Sequence, residues 1–252
     1  PGTERMLYEF SSAGLLKKAQ MQPEKVSQTM DKIKADGLIP TFKAVTQKLS
    51  EPTPLGYCNS GIVIEVGAGV EHVKKGDRVA SNGHHGDIVK VPKHLVARIP
   101  ETVSDEEAAF TVLGSIALHG IRLSRPSLGE QYAVFGMGLV GLITTQLLIA
   151  NGCKVLAIDI NQKRLEIAKK YGAEILNVST GADPSMEAIN WTNGRGVDAA
   201  LITASASDDT IVHQAAQSCM KRGRIILVGV VDLNLHRADF YEKELTFQVS
   251  CS

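Results

Sequence analysis

With 252 residues, 44% of them hydrophobic, 21% charged and 5% aromatic, the chain has ordinary globular composition. That length suffices for two domains of roughly 100–150 residues. Lys+Arg and Asp+Glu balance at 27 each, so no net field steers the chain toward nucleic acid or an anionic membrane. No run of about 18 apolar residues that could cross a membrane as a helix is present, and the glycines follow no collagen-like period. A folded, soluble protein is expected. Cys58, Cys153, Cys219 and Cys251 form no C-x-x-C pair, which speaks against a disulfide framework or a zinc knuckle and fits a reducing, cytoplasmic compartment. The opening Pro1-Gly2-Thr3-Glu4 has neither a Met nor the regions of a signal peptide, so a start further upstream is expected.

In chain order, the first texture is helical. Pro23 suits a first helical position, Val26, Met30 and Ile33 follow at i, i+4 and i+7, and Gly37 ends the run. Pro40 opens a second short helix with Phe42, Val45 and Leu49 on one stripe. These helices read as a surface insertion at about 9–50. From Pro54 to Pro100 strands are expected: Gly61–Gly67, the turn and strand of Val70–Val79, and Ile88–Pro92, together a small barrel-like β domain. Ser104 with Glu107 three positions on forms a capping-box helix start. Strand and helix then alternate: strand 131–135, helix 139–151, strand 154–158, helix 164–171, strand 197–203, helix 210–220 and strand 224–230. Such alternation predicts an α/β doubly wound parallel sheet with helices on both faces. The domains are expected at 1–118 and 119–252.

The chemistry concentrates in Tyr132-Ala133-Val134-Phe135-Gly136-Met137-Gly138-Leu139-Val140-Gly141. Here G-x-G-x-x-G follows an apolar strand and opens an apolar helix, which is the context that makes the motif informative. Gly136 allows the tight turn, Gly138 lets backbone approach a pyrophosphate, and Gly141 lets helix and strand pack closely. The helix N-terminus at Leu139 and Val140 offers free N–H groups and a positive dipole end to the phosphates. Asp159 ends the next strand, eighteen residues after Gly141. A carboxylate there accepts both hydroxyls of an adenosine ribose and repels a 2′-phosphate, so NAD is expected in preference to NADP. Lys163 and Arg164 lie just beyond, within reach of the ribose. The alternative reading makes these turn glycines and a helix-capping aspartate.

The blocks 56–70, Gly76-Asp77-Arg78-Val79, 154–159, Ala168-Lys169-Lys170-Tyr171-Gly172-Ala173 and Gly223-Arg224-Ile225-Ile226-Leu227-Val228-Gly229 resemble the medium-chain dehydrogenase/reductases, the alcohol dehydrogenase superfamily. Within it, residues 1–6, 55–59 and 238–247 look most like the dehydrogenase half of bi-domain oxidoreductases, which would make the chain a fragment. The resemblance implies a GroES-like substrate domain, here incomplete and carrying the helical insertion, plus a Rossmann domain and hydride transfer between nicotinamide and an alcohol or carbonyl. It further implies a homodimer joined at the Rossmann sheet edges, with Leu245–Val249 as a strand-like edge. The partner is a small-molecule substrate, possible sugar derivatives included, with no nucleic acid or membrane.

Zinc-dependent members of the family hold the catalytic metal with a Cys in a C-G-T-D block, a His in a G-H-E block and a later Cys or His. Pro1 and Tyr57 stand at the first two positions, 106–118 contain no Cys or His, and 81–91 contain no cysteine for a structural zinc lobe. No metal site is therefore expected, since catalytic zinc needs three protein ligands, and Cys58 reads as a small buried residue. The resemblance places Thr3, Tyr57 and His85 as candidate proton-handling residues, and a neutral imidazole suits acid/base work. It places Thr203, Val228, Gly229 and Val230, at the carboxyl ends of two strands, along the nicotinamide ribose and carboxamide. Glu4 is read as structural, and His119, His213 and His236 as helix or loop residues without chemistry. The alternatives to a zinc-independent, NAD-dependent dehydrogenase are an NADPH-dependent quinone or enoyl reductase and a non-catalytic nucleotide-binding module.

Overall fold

The computed structural model describes residues 54–251 and, of the first 53, residues 2, 4, 8, 11–14, 26, 29–31, 33, 34, 37, 41 and 45. Two compact units result, Pro1–Ala108 and Ala109–Ser252. The boundary expected at 118 falls inside one uninterrupted helix, Thr111–Ser124.

In the first unit, Val26, Met30 and Ile33 are helical, as their spacing predicts. Gly37 ends that stretch with φ +89 and an N–H donated to Ile33 O. The stripe is not a buried one, however: Met30 is 59% exposed. Pro23, Pro40, Phe42 and Leu49 lie outside the described residues.

Three strands follow, β1 (Asn59–Ile62), β2 (Arg78–Ser81) and β3 (Val96–Arg98), in one antiparallel sheet of that order. The 61–67 run is thus strand only to Ile62. The chain turns back through Val63, which bonds both Asp77 O and the Gly76 N–H. Gly76 adopts φ +92 in that turn, and Asp77 Oδ2 accepts the Lys74 N–H at 2.9 Å. The strand expected over 88–92 does not form. Pro92 has no N–H to give a ladder, Ile88 is 73% exposed, and the pairing passes to Val96–Arg98 instead. Arg78 leaves β2 to donate to Asp105 Oδ1 at 2.7 Å and Val103 O at 2.9 Å. It thereby anchors the short helix α1 (Asp105–Ala108) to the sheet. The capping box forms as read: Glu107 N donates to Ser104 Oγ, and Glu107 Oε2 accepts from Ser104 N. Those bonds hold the Glu107 carboxyl below its ordinary range.

The second unit starts with α2 (Thr111–Ser124) and then alternates. β4 (Gln131–Phe135), α3 (Leu139–Ala150), β5 (Lys154–Asp159) and α4 (Gln162–Lys170) lead to β6 (Glu174–Asn177) and α5 (Pro184–Trp191). β7 (Val197–Ile202), α6 (Thr210–Ser218), β8 (Cys219–Leu227), α7 (Arg237–Tyr241) and β9 (Thr246–Val249) complete it. All six strands are parallel, in the order β6-β5-β4-β7-β8-β9. Starting in the middle and winding outward in both directions puts helices on both faces, so central strands are buried twice over. All six residues of β7 are accordingly buried. One face packs Val134, Val155, Leu201 and Ile226 on Leu148 and Leu165, the other Phe135, Ile158, Ile202 and Leu227 on Val212 and Ala188. The alternation of residues along each strand makes that division. β6 and α5 were not expected, although Pro184 after an Asp183 cap, whose side chain accepts the Ser185 N–H, is a legible helix start.

The amino ends of the central strands are closed by ionic contacts. Asp198 Oδ2 accepts the Gln131 N–H at 2.8 Å, and Arg195 donates to both Asp198 oxygens at 2.8 Å. Arg224 pairs with Glu130 at 2.8 Å, and the wholly buried Tyr132 places its hydroxyl 3.0 Å from Ser124 Oγ. Burial raises the Asp198 pKa, but the Arg195 and Gln131 bonds outweigh it and leave the carboxyl below its ordinary value. A depressed carboxylate contributes stability that is present above the unfolded-state pKa of about 3.9 and lost as pH falls through the folded value. Asp198→Ala is therefore expected to cost about 2–3 kcal/mol at neutral pH. In urea titrations that difference should shrink below about pH 4.

Candidate functional site

At the opposite, carboxyl edge of the sheet, the chain leaves β4 through the glycine turn. Gly136 adopts φ +95, where a side chain would be strained and a Cβ would also lie 2.7 Å from the Ala204 nitrogen. A Cβ on Gly141 would strike the Gly136 carbonyl oxygen and lie 2.7 Å from Thr203 Oγ1, so helix α3 touches the turn it leaves. Gly138 differs from both, because nothing lies within 4 Å of where its Cβ would be. Its φ of −68 is one that any residue adopts. The geometry therefore requires Gly136 and Gly141 for folding, and leaves Gly138 as a gap in front of the α3 N-terminus. No side chain caps that helix, whose first internal bond is Leu142 N to Gly138 O. Leu139 is exposed and Val140 half-buried at this open end. Uncapped amides at a helix start, facing a gap, form a cradle that a phosphate would fit.

Asp159 ends β5 beside this cradle and is 8% exposed. Its Oδ2 accepts the Met137 N–H at 2.5 Å, and its Oδ1 accepts the Asn161 N–H at 2.8 Å. The carboxylate thus holds the middle of the glycine turn, a bond absent from the sequence reading. It is not the cap of α4, a role taken by Asn161, whose side chain accepts the Arg164 N–H. Each carboxylate oxygen retains acceptor capacity for a hydroxyl. Lys163 and Arg164 are exposed in the first turn of α4.

On the other side of the turn, Thr203 donates its hydroxyl to Gly136 O at 2.7 Å and its N–H to Phe135 O at 2.9 Å. Thr203 is therefore a brace for the turn. Val228 and Gly229 both donate to Ile202 O, and Val230 donates to Ala204 O. A Cβ on Gly229 would overlap the Ala204 carbonyl oxygen. Together they shape the carboxyl edge of β7 and β8, with Val230 73% exposed.

The remaining candidates lie in the first unit. Thr3 lies outside the described residues. Tyr57 and Cys58 are half-buried, so Cys58 is not the buried residue expected. His85 lies flat over Gly56, whose Cβ would be 2.5 Å from the ring, and Gly56 adopts φ +83. His85 Nε2 is 2.7 Å from Glu4 Oε1, which makes the expected loop histidine one partnered by a carboxylate. Two cysteines of the second unit are buried: burial raises the Cys153 pKa and pushes Cys219 up to about 12.

Among the described residues, one group of three or more His, Cys, Asp or Glu side chains converges closely enough to hold a metal, namely Asp209, His213 and His236. It lies within the second unit, and none of its three residues stands at a position where the family resemblance would put zinc. Tyr57, at one of those positions, carries a phenol rather than an imidazole, and Pro1, at another, lies outside the described residues.

A six-stranded parallel sheet in this winding order, with an open glycine turn and an acid on the next strand, defines a Rossmann-type domain. Residues 140–252 match the family model of zinc-binding dehydrogenases. The chain is 30% identical over 225 residues to (R,R)-butanediol dehydrogenase of Bacillus subtilis, covering 77% of this chain and 64% of that protein. It is 29% identical over 219 residues to sorbitol dehydrogenase of the same organism, covering 74% and 61%. The crystal structure of 2R,3R-butanediol dehydrogenase from Bacillus subtilis superposes with a TM-score of 0.69 at 29% identity, over 79% of this chain and 65% of that one. The chain is similar along most of its length to medium-chain alcohol dehydrogenases, and its fold is that of a GroES-like unit and a Rossmann unit. It spans less than two thirds of the length of these relatives.

Proposed function

We propose that the chain is the NAD(H)-binding and catalytic part of an oxidoreductase that interconverts an alcohol and a carbonyl. The observation that carries this is Asp159, a buried carboxylate tied to the Met137 amide beside the gap at Gly138. That pairing can hold an adenosine ribose and a pyrophosphate at once and disfavours a 2′-phosphate. Nicotinamide, when bound, accepts or supplies the hydride. This chain's residues bind the phosphates, orient the ribose and handle the proton. The names of the relatives, a butanediol and a sorbitol dehydrogenase, support a substrate with neighbouring hydroxyls, a sugar derivative included.

Without the family's zinc ligands, the substrate oxygen would be served by hydrogen-bond donors. Tyr57, at a ligand position, and His85, held by Glu4, are the described candidates. Tyr57→Phe or His85→Ala is expected to lower kcat about 100-fold or more for whichever group moves the proton. NADH-linked turnover of a diol and sugar panel is the measurement, and a chelator should leave it unchanged. Unaltered rates in both variants would clear both residues.

Fluorescence titration tests the coenzyme reading, with NADH expected to bind more tightly than NADPH. The reverse order would favour a quinone- or enoyl-type reductase, and tight NADH binding without turnover a non-catalytic module. β9 is an edge strand with Val249 52% exposed, which supports pairing of two copies through this edge. Light scattering should then give twice the chain mass.

A further inference from the structure

We infer that Asp209, His213 and His236 form a binding site for one divalent transition-metal ion, zinc by preference, on the Rossmann unit. Asp209 and His213 are four residues apart at the start of α6, so one helical face presents both. His236 comes from the residue that precedes α7, and Asp239 from the first turn of that helix. The donor atoms of Asp209, His213 and His236 all lie within 4.8 Å of one another. The rings of His213 and His236 are 4.3 Å apart at 42°, splayed rather than stacked, so two ring nitrogens can turn toward a common point.

The second, independent observation is an unsatisfied atom. His213 Nε2 is buried and makes no hydrogen bond. Asp209 Oδ2 stands 3.4 Å from it, a long ion-pair contact, and the Asp239 bond together with this contact raises the His213 pKa. A buried nitrogen left without a partner costs free energy unless something occupies the position it faces. The other nitrogen, Nδ1, is 2.5 Å from Asp239 Oδ2. A carboxylate bonded to one imidazole nitrogen fixes the tautomer that leaves the other as a lone pair, which is how metal-bound histidines are oriented. Asp239 is thus a positioning residue and Asp209, His213 and His236 the ligands.

Charge agrees with this assignment. The two carboxylates, Asp209 and Asp239, carry −2, which a divalent cation cancels. Two imidazoles with one carboxylate suit zinc, nickel or copper better than calcium or magnesium, which prefer oxygen. Three protein ligands leave a fourth position for water. Tetrahedral zinc would bring the donors to roughly 3.3 Å apart, a contraction that the exposed His236 side chain can supply. The ion would clamp the β8–β9 connection, whose Leu233 is 50% exposed, onto α6.

The test is calorimetric titration of the untagged full chain with Zn²⁺ at pH 8, paired with the visible spectrum of the Co²⁺ form. One ion per chain and the d–d bands of a tetrahedral site are expected. His236→Ala, an exposed change, should weaken binding more than 10-fold and abolish those bands, with circular dichroism unchanged. Asp239→Asn should weaken binding about 10- to 100-fold, and His119→Ala should leave it alone. No uptake at about 1 mM metal, or equal affinity in wild type and His236→Ala, would overturn the assignment. The second outcome would place any bound ion elsewhere in the chain. None of these readouts depends on turnover, so the proposed oxidoreductase activity can fail while this site stands.

Discussion

Asp159→Ala is expected to weaken NADH binding about 10- to 100-fold, equivalent to about 1.4–2.8 kcal/mol, while NADPH binding changes little or improves. Two effects combine in that loss. The ribose hydroxyls lose a charged acceptor, and the Met137 N–H, bonded to Oδ2 at 2.5 Å, loses the partner that holds the glycine turn. Asp159→Asn separates them, because an amide oxygen still accepts from Met137 but carries no charge to repel a 2′-phosphate. The asparagine variant should therefore keep the thermal stability of the parent and shift the ratio of NADH to NADPH affinity toward NADPH. Titration of both coenzymes against both variants is the measurement. An unchanged ratio in Asp159→Asn would remove the carboxylate from coenzyme selection.

The glycines of the turn should divide into two kinds when replaced by alanine. Gly141→Ala pushes a methyl into the Gly136 carbonyl and toward Thr203 Oγ1, backbone and a bonded hydroxyl that cannot simply rotate away. A loss of about 2–3 kcal/mol is expected, or roughly 6–12 °C in Tm for a unit of this size, with coenzyme affinity falling because α3 and the turn separate. Gly138→Ala meets no atom within 4 Å and keeps an ordinary φ. It should leave Tm unchanged or slightly raised and still lower NADH affinity about 10-fold, since the methyl fills the space a phosphate needs. Scanning calorimetry and fluorescence titration on the two variants measure this. Loss of stability in both, or of affinity in neither, would show that Gly138 is not the cradle.

Much of the candidate site was legible in the sequence. The strand 131–135 forms as read, with its glycines and helix following in the expected order. Local sequence carries these features because strand alternation, turn glycines and helix starts are each decided by residues a few positions apart. The Ser104–Glu107 capping box is legible for the same reason. The expected strand over 88–92 failed because an apolar β-branched run next to Pro92 has no partner that can complete its ladder, and Val96–Arg98 pairs with β2 instead. The helical stripe of Val26, Met30 and Ile33 has the right period, yet Met30 stays exposed, since period alone does not supply a surface to pack on.

Composition and spacing by themselves carried a doubly wound sheet, a glycine turn and an acid eighteen residues beyond it. The tertiary structure alone decided what those groups touch: that Asp159 holds Met137, that Thr203 braces Gly136, and that Asp198 meets Gln131 from 67 positions away. It also brought Asp239 to His213, a histidine 26 positions distant. Local pattern reports the period and the turn because those follow from the backbone of neighbouring residues. Convergence of side chains from separate connections follows only from how the sheet is wound, which no short window of sequence contains.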